Sequence, residues 1–302
     1  MPYPADLIRS IAAHNSISGE PELMPDGGMV NEAWRIGEHV LRIVKERGHK
    51  ECDDEAKREA AVVPAAVAAG IRTPRFVAWG QADELAPRPY TIYEHVNGKT
   101  LGYCELPPDR FADLYHELGR DLAKLHRIEI TEEVRGTFTR DDRHDPAASV
   151  RKCVEAGKFP AEQEAEVLLW IEFLKERSGA ASKCLMHNDV HPWNLMYDPA
   201  DCSLAAIIDW GDAHFADPAG DFATMPIAVL PEMLRGYKEE GGEVDDGFTA
   251  RAMHIGLVGR FWELRKLDPE SFDRKWWALA PGGWTEHKRL IEQHFPELAV
   301  WD

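Results

Sequence analysis

The alternation of apolar and polar positions changes character once along the 302-residue chain. A short amphipathic stretch over 4–14 predicts a helix. It is followed by "PDGGMVNEAWRIGEHVLRIVKE", two β-like runs joined at Gly37-Glu38 and preceded by a Gly-Gly loop, which predicts a hairpin. The stretch "DDEAKREAAVVPAAVAAG" opens on the cap candidates Asp53 and Asp54 and stops at Gly70, as a helix does. Pro64 inside it predicts a kink, or a late start for its second half. Two more β-like runs follow, at 75–80 and 88–96. Beyond Asn97-Gly98 the period lengthens: Phe111, Leu114, Leu118, Leu122 and Leu125 recur at three and four residues, a helical stripe facing a core. A further helix is expected at 162–177. Short β-like runs recur in "KCLMH", "NLMYD" and "LAAIID", and the chain is mainly helical from about 219 to its end.

This order predicts an α+β protein of two lobes. Residues 1–96 form a strand-rich lobe with one main helix, and residues 97–302 form a larger, mainly helical lobe. Composition leaves that picture intact, with 44% apolar and 29% charged residues. No apolar run reaches the roughly 18 residues of a membrane span. The first residues lack a secretory pattern, and five scattered cysteines without a C-x-x-C pair fit a reduced cytoplasm. The formal charge of −18 disfavours nucleic acid and anionic lipid as partners and favours cations.

Charge also locates the chemistry. Between Lys183 and Arg235 there is no Lys or Arg, yet the window holds seven Asp, at 189, 198, 201, 209, 212, 217 and 221. Carboxylates without a local cation call for an external one, and Mg²⁺ prefers such oxygens. Asp189 and Asn194 flank a turn at Pro192 in "HNDVHPWN", and Asp209 ends an apolar run that would aim it into a crevice. Asn194 and Asp209 are thus candidates to share a metal, with Asp189 beside it to accept a proton. His187 and His191 are four apart, but Pro192 argues against the helix a zinc pair would need, so both are read as structural or orienting. Neither a P-loop nor a dinucleotide fingerprint is present. The Gly-rich "DGGMVNEAW" gains meaning from Arg42 on the next strand and Glu59 on the next helix, a strand-helix ion pair of the kind that kinases use on phosphates.

With these residues in place, the chain resembles the aminoglycoside phosphotransferase family, small-molecule kinases with a protein-kinase-like bilobal fold. The resemblance runs through "DGGMVNEAW", "VLRIV", "KREAAVV", "YTIYEHVNGKTL", "LGRDLAKLH", "HNDVHPWN", "IIDWGDA" and "ADPAGD" in order. It implies that Asp189 orients the acceptor hydroxyl and takes its proton, and that Asn194 and Asp209 ligate Mg²⁺ ions on the phosphates of ATP or GTP. It further implies that Arg42, paired with Glu59, contacts phosphates under the loop containing Gly27 and Gly28. Backbone groups of Glu94 and Val96 would bond the purine, Asp221 would brace the catalytic loop, and His187 would set its shape. Three positions depart from the family pattern. Arg42 stands where Lys is usual, with Lys45 as an alternative phosphate contact; Asn188 and Trp193 stand where Gly is frequent.

The acceptor implied is a small hydroxylated molecule, and the acidic helical lobe favours a cationic one such as an aminoglycoside-like antibiotic. Amino sugars, choline and homoserine are alternative acceptors. A non-catalytic nucleotide-binding module and a metal-dependent hydrolase are the rival classes. The aromatic stretch with Trp276, Trp277 and Trp284 is either a wall near the acceptor or, as is commoner for large aromatics, a core cluster.

Overall fold

Burial alternates along the strands and so divides the N-terminal sheet into two working faces. The structure, a computed structural model, describes residues 2–25, 28, 30–45, 52–104, 108–129, 145–266 and 283–301. Strands β1 (Pro21–Leu23), β2 (Asn31–Ile36), β3 (His39–Val44), β4 (Phe76–Gly80) and β5 (Tyr90–Glu94) form an antiparallel sheet of order β1-β2-β3-β5-β4. Gly37, at φ +56°, makes the turn that sets Ile36 opposite His39. On one face Trp34, Ile36, Leu41, Ile43, Tyr90 and Ile92 pack against Ile8 and Ile11 of helix α1 (Ala5–His14). Strand period two then sends Arg42 to the other face, opposite Thr91.

That other face meets helix α2 (Cys52–Ala68), which starts at once and runs past Pro64 rather than beginning late. Pro64 is exposed, while Val62, Val63 and Ala66 beside it are fully buried and hold both halves of the helix to one surface. These three residues, with Ile71 and Tyr93, belong to the same hydrophobic core as helix α3 (Ala112–Leu125) and the helices beyond it.

The expected stripe of α3 is buried throughout. It crosses the helix Leu230–Glu239 at two glycines. A Cβ on Gly119 would lie 2.0 Å from the Met233 carbonyl oxygen, and one on Gly236 would lie 1.9 Å from that of His116. Gly236→Ala should therefore cost about 1–3 kcal/mol, as overpacking does. A urea midpoint equal to that of the parent protein would refute this close crossing.

The elements that periodicity did not announce are short or capped locally. Strands β1 and β10 (His214–Ala216) have three residues each, β6 (Lys99–Thr100) has two, and the helix Pro146–Glu155 starts at Asp145, whose carboxylate accepts from the Ala148 N–H at 2.9 Å. Strands β8 (Leu195–Tyr197) and β9 (Leu204–Ile207) form a hairpin, and β7 (Cys184–Met186) pairs with β10. Trp284 is a core residue, packed with Trp170, His287 and Trp301; Trp276 and Trp277 lie outside the described residues. No helix among the described residues is long and apolar enough to cross a membrane.

Candidate active site

The loop 187–194 leaves β7 and is pinned from behind by a buried carboxylate. Asp221 accepts the backbone N–H groups of His187 at 3.0 Å and Asn188 at 2.6 Å, and lies 3.1 Å from His126 Nε2. Burial alone would raise the Asp221 pKa, but hydrogen bonding and the charge of His126 more than offset it, so the value is lowered. Asn188 takes φ +67°, a left-handed position that Asn tolerates better than most residues. His187 accepts the Asp189 N–H at Nδ1 (3.3 Å), which assigns its proton to Nε2, 3.1 Å from the Ile208 carbonyl. That bond, with the Ile208 N–H donating to the Asn194 carbonyl at 2.9 Å, ties the loop to the segment carrying Asp209.

Within the loop, Asn194 closes a turn by donating its N–H to the His191 carbonyl at 2.8 Å. Its side-chain Nδ2 donates to Asp189 twice, to the backbone carbonyl at 2.9 Å and to Oδ2 at 2.8 Å. Burial pushes the Asp189 carboxyl up, yet hydrogen bonds from His191 and Asn194 and the nearby imidazoles bring it below the usual range. Asp189 is therefore an ionised carboxylate at neutral pH, as a proton acceptor must be.

Strand β9 ends at Ile207, so Asp209 is not the strand terminus that its apolar run suggested. It lies two residues on, at φ +68°. Its Oδ1 receives Arg42 Nη2 at 2.7 Å, while Arg42 Nη1 reaches Glu59 Oε1 at 3.1 Å. Tyr93 donates its hydroxyl to the other oxygen of Glu59. Burial would lower the Arg42 pKa, but Asp209 and Glu59 raise it well above normal, so the guanidinium stays charged. Arg42, Glu59 and Asp209 line a cleft with Glu55, Asn31 and Thr91. Burial first, then the charge of Asp212, pushes Glu55 up to about 7.

The other expected residues are placed as follows. Lys45 faces away from this cluster and donates to the Gly28 carbonyl at 2.6 Å, so Arg42 alone of the two meets Glu59. Gly28 has φ +74° with open space around it, and Gly27 lies outside the described residues. Glu94 uses its N–H on the Arg75 carbonyl at 2.9 Å, and the N–H of Val96 has no partner among the described residues. Tyr93, Glu55 and His126 were missed by sequence reasoning. Glu55 stands four residues before Glu59 on one helix face, and that spacing was the available signal.

A family model described as phosphotransferase enzyme family matches residues 25–254, more than half of the chain. The chain belongs to this family. The fold of this phosphotransferase is that of the solved GDP complex of aminoglycoside 2'-phosphotransferase-IIIa, with a TM-score of 0.66 over 96% of this chain and 97% of that one at 19% identity. A choline/ethanolamine kinase family protein from Mesorhizobium loti shares it with a TM-score of 0.57, 18% identity, and 97% and 96% of the two chains covered. Among curated relatives, mouse acyl-CoA dehydrogenase family member 10 is 21% identical over 219 residues; the match takes in 67% of this chain and only 20% of the mouse protein. The α+β architecture, an N-terminal antiparallel sheet followed by a helical remainder, is therefore the protein-kinase-like one.

The donor set of this phosphotransferase fits a hard divalent cation. Asn194 turns its Nδ2 to Asp189, and its Oδ1 accepts no hydrogen bond from a described residue; Asp209 engages Arg42 through only one of its two oxygens. An amide oxygen and a carboxylate oxygen suit Mg²⁺, which takes its remaining ligands from water and phosphate. Among the described residues no group of three or more His, Cys, Asp or Glu side chains is placed to hold a metal by itself. Trp193 lies across Gly102, where an added Cβ would be 2.3 Å from the indole Cδ2, and meets the exposed Tyr103 edge-on with ring centroids 6.5 Å apart.

Proposed function

We propose that this phosphotransferase is a kinase that moves the γ-phosphoryl of ATP or GTP to a hydroxyl of a small molecule. The observation that carries the proposal is the division of labour around Asn194. One end of its amide holds the Asp189 carboxylate, and the other accepts no hydrogen bond from a described residue, which suits it to a cation that Asp209 would share. A proton acceptor and a cation site are thereby adjacent, as in-line phosphoryl transfer requires.

In this reading residues 1–96 supply the nucleotide lobe and 97–302 the catalytic and acceptor lobe. The Glu94 carbonyl and the Val96 N–H face the purine, and Arg42 turns from Asp209 to the phosphates while Glu59 keeps hold of its head. When bound by Asn194 and Asp209, Mg²⁺ supplies charge neutralisation on the phosphate oxygens. Asp189 positions the acceptor hydroxyl and receives its proton. Asp221, through the two backbone N–H groups it accepts, and His187, through Ile208, keep the loop in register with Asp209.

The net charge of −18 favours a cationic acceptor, and an aminoglycoside-like antibiotic is the first choice. The fold shared with a choline/ethanolamine kinase family protein favours a small metabolite such as an amino sugar, choline or homoserine as the second. Diphosphate release should be measured from ATP and from GTP in the presence of Mg²⁺ and kanamycin, erythromycin, glucosamine, choline or homoserine in turn. Release that depends on one of these acceptors is the expected result. Tight nucleotide binding without transfer to any of them would instead make the chain a non-catalytic binding module.

A further inference from the structure

The kinase reading above gives His191 no task, yet its two ring nitrogens have distinct partners. Nδ1 accepts the backbone N–H of Trp193 at 3.2 Å. That bond occupies the Nδ1 lone pair and assigns the ring proton to Nε2. Nε2 lies 3.4 Å from Asp189 Oδ2, the same oxygen that takes Asn194 Nδ2 at 2.8 Å. His191 Nε2 and Asn194 Nδ2 are themselves 3.4 Å apart, so two donors converge on one carboxylate oxygen. The other oxygen, Oδ1, receives no hydrogen bond from a described residue, in a side chain that is 35% exposed.

We infer that His191 is a positioning residue which, with Asn194, anchors Asp189 Oδ2 and so makes Oδ1 the oxygen that takes the acceptor's proton. The inference rests on the kinase reading and adds the atom and its support. The oxygens of a free carboxylate are equivalent, because rotation about its terminal torsion exchanges them. A second donor on Oδ2, held by its own backbone contact to Trp193, removes that equivalence. His191 itself has no lone pair left with which to act as base. In the transfer step the hydroxyl O–H bond breaks and its proton passes to Oδ1. The hydroxyl oxygen forms a bond to the γ-phosphorus as the bond to the β,γ-bridging oxygen breaks, and the electron pair leaves with the nucleoside diphosphate.

The test compares His191→Gln, His191→Asn and His191→Ala in the full chain, with the acceptor that the wild-type protein uses. A Gln amide nitrogen reaches about as far as Nε2, whereas that of Asn reaches only as far as Nδ1. The Asn and Ala variants should lose about 10–100-fold in kcat, the usual cost of removing an orienting partner. Nucleotide affinity, titrated separately, should stay within about twofold, and Gln should recover most of the rate. A Gln variant as slow as the Asn variant would overturn the role, as would three variants with wild-type kcat or a parallel fall in nucleotide affinity. If the Ala variant fails to fold, the Gln and Asn pair decides alone. A wild-type chain that transfers to no acceptor in the panel would overturn the kinase reading and this role with it, a different failure from an active wild type whose Gln variant is not rescued.

Discussion

Asp189→Ala should lower kcat by on the order of 10²–10⁴-fold, the range that general-base catalysis supplies, while the nucleotide binds as before. The separation follows from the hydrogen bonds. Among the described residues the Asp189 carboxylate has polar partners only in Asn194 and His191, and the groups that line the cleft around Arg42 lie on β2, β3, α2, residues 89–91 and the segment after β9. Removing the carboxylate takes one of two acceptors from Asn194 Nδ2 but leaves the other, the backbone carbonyl of residue 189, and leaves the Asn194 N–H bonded to the His191 carbonyl and its own carbonyl bonded to Ile208, so the turn persists. Acceptor-dependent diphosphate release and a nucleotide titration in Mg²⁺ measure the two halves. A variant within tenfold of wild-type kcat would remove Asp189 from the mechanism.

The second large effect is expected at Asp209, and asparagine is the substitution that isolates it. Alanine would add the strain of a left-handed backbone, about 1–2 kcal/mol, at a residue whose φ is +68°. Asparagine tolerates that conformation and removes only the charge. Asp209→Asn should weaken Mg²⁺-dependent nucleotide binding by at least about 10–100-fold, the range already seen when only an outer partner of a metal site is lost. Arg42 would then have Glu59 as its one remaining carboxylate partner. Calorimetric titration of nucleotide with and without Mg²⁺ reads the effect directly. Equal Mg²⁺ dependence in variant and wild type would show that Asp209 is not a cation ligand.

What was legible in the sequence divides by distance along the chain. The loop and the segment after β9 announced themselves because side chains of matching chemistry stand close together in a stretch free of Lys and Arg. Strand parity, too, was readable: Leu41 and Ile43 face the small core, so Arg42 turns to α2 and Lys45 does not. Tyr93 was invisible because its partner Glu59 is 34 residues away and on another element. His126 reaches Asp221 across 95 residues for the same reason. Strands of two or three residues carry too little alternation to register, and the left-handed turn that lifts Asp209 beyond β9 has no signature in an apolar run. Pro64 stands inside a helix that starts at Cys52, so of its two expected effects the late start is absent, with Val62, Val63 and Ala66 buried around it.

Helix α2 has a thermodynamic consequence for the whole chain. Its buried face, with Ile71 and Tyr93, belongs to one hydrophobic core with residues beyond 97, Trp210 among them. Cut away from them, those side chains would meet water at about 1.5–3 kcal/mol for each large aliphatic. The stretch 1–96 thus holds one core cluster of its own and shares a second with the rest of the chain. Heat or denaturant should therefore loosen α2 and the helical body together, because the core they share cannot be opened from one side alone.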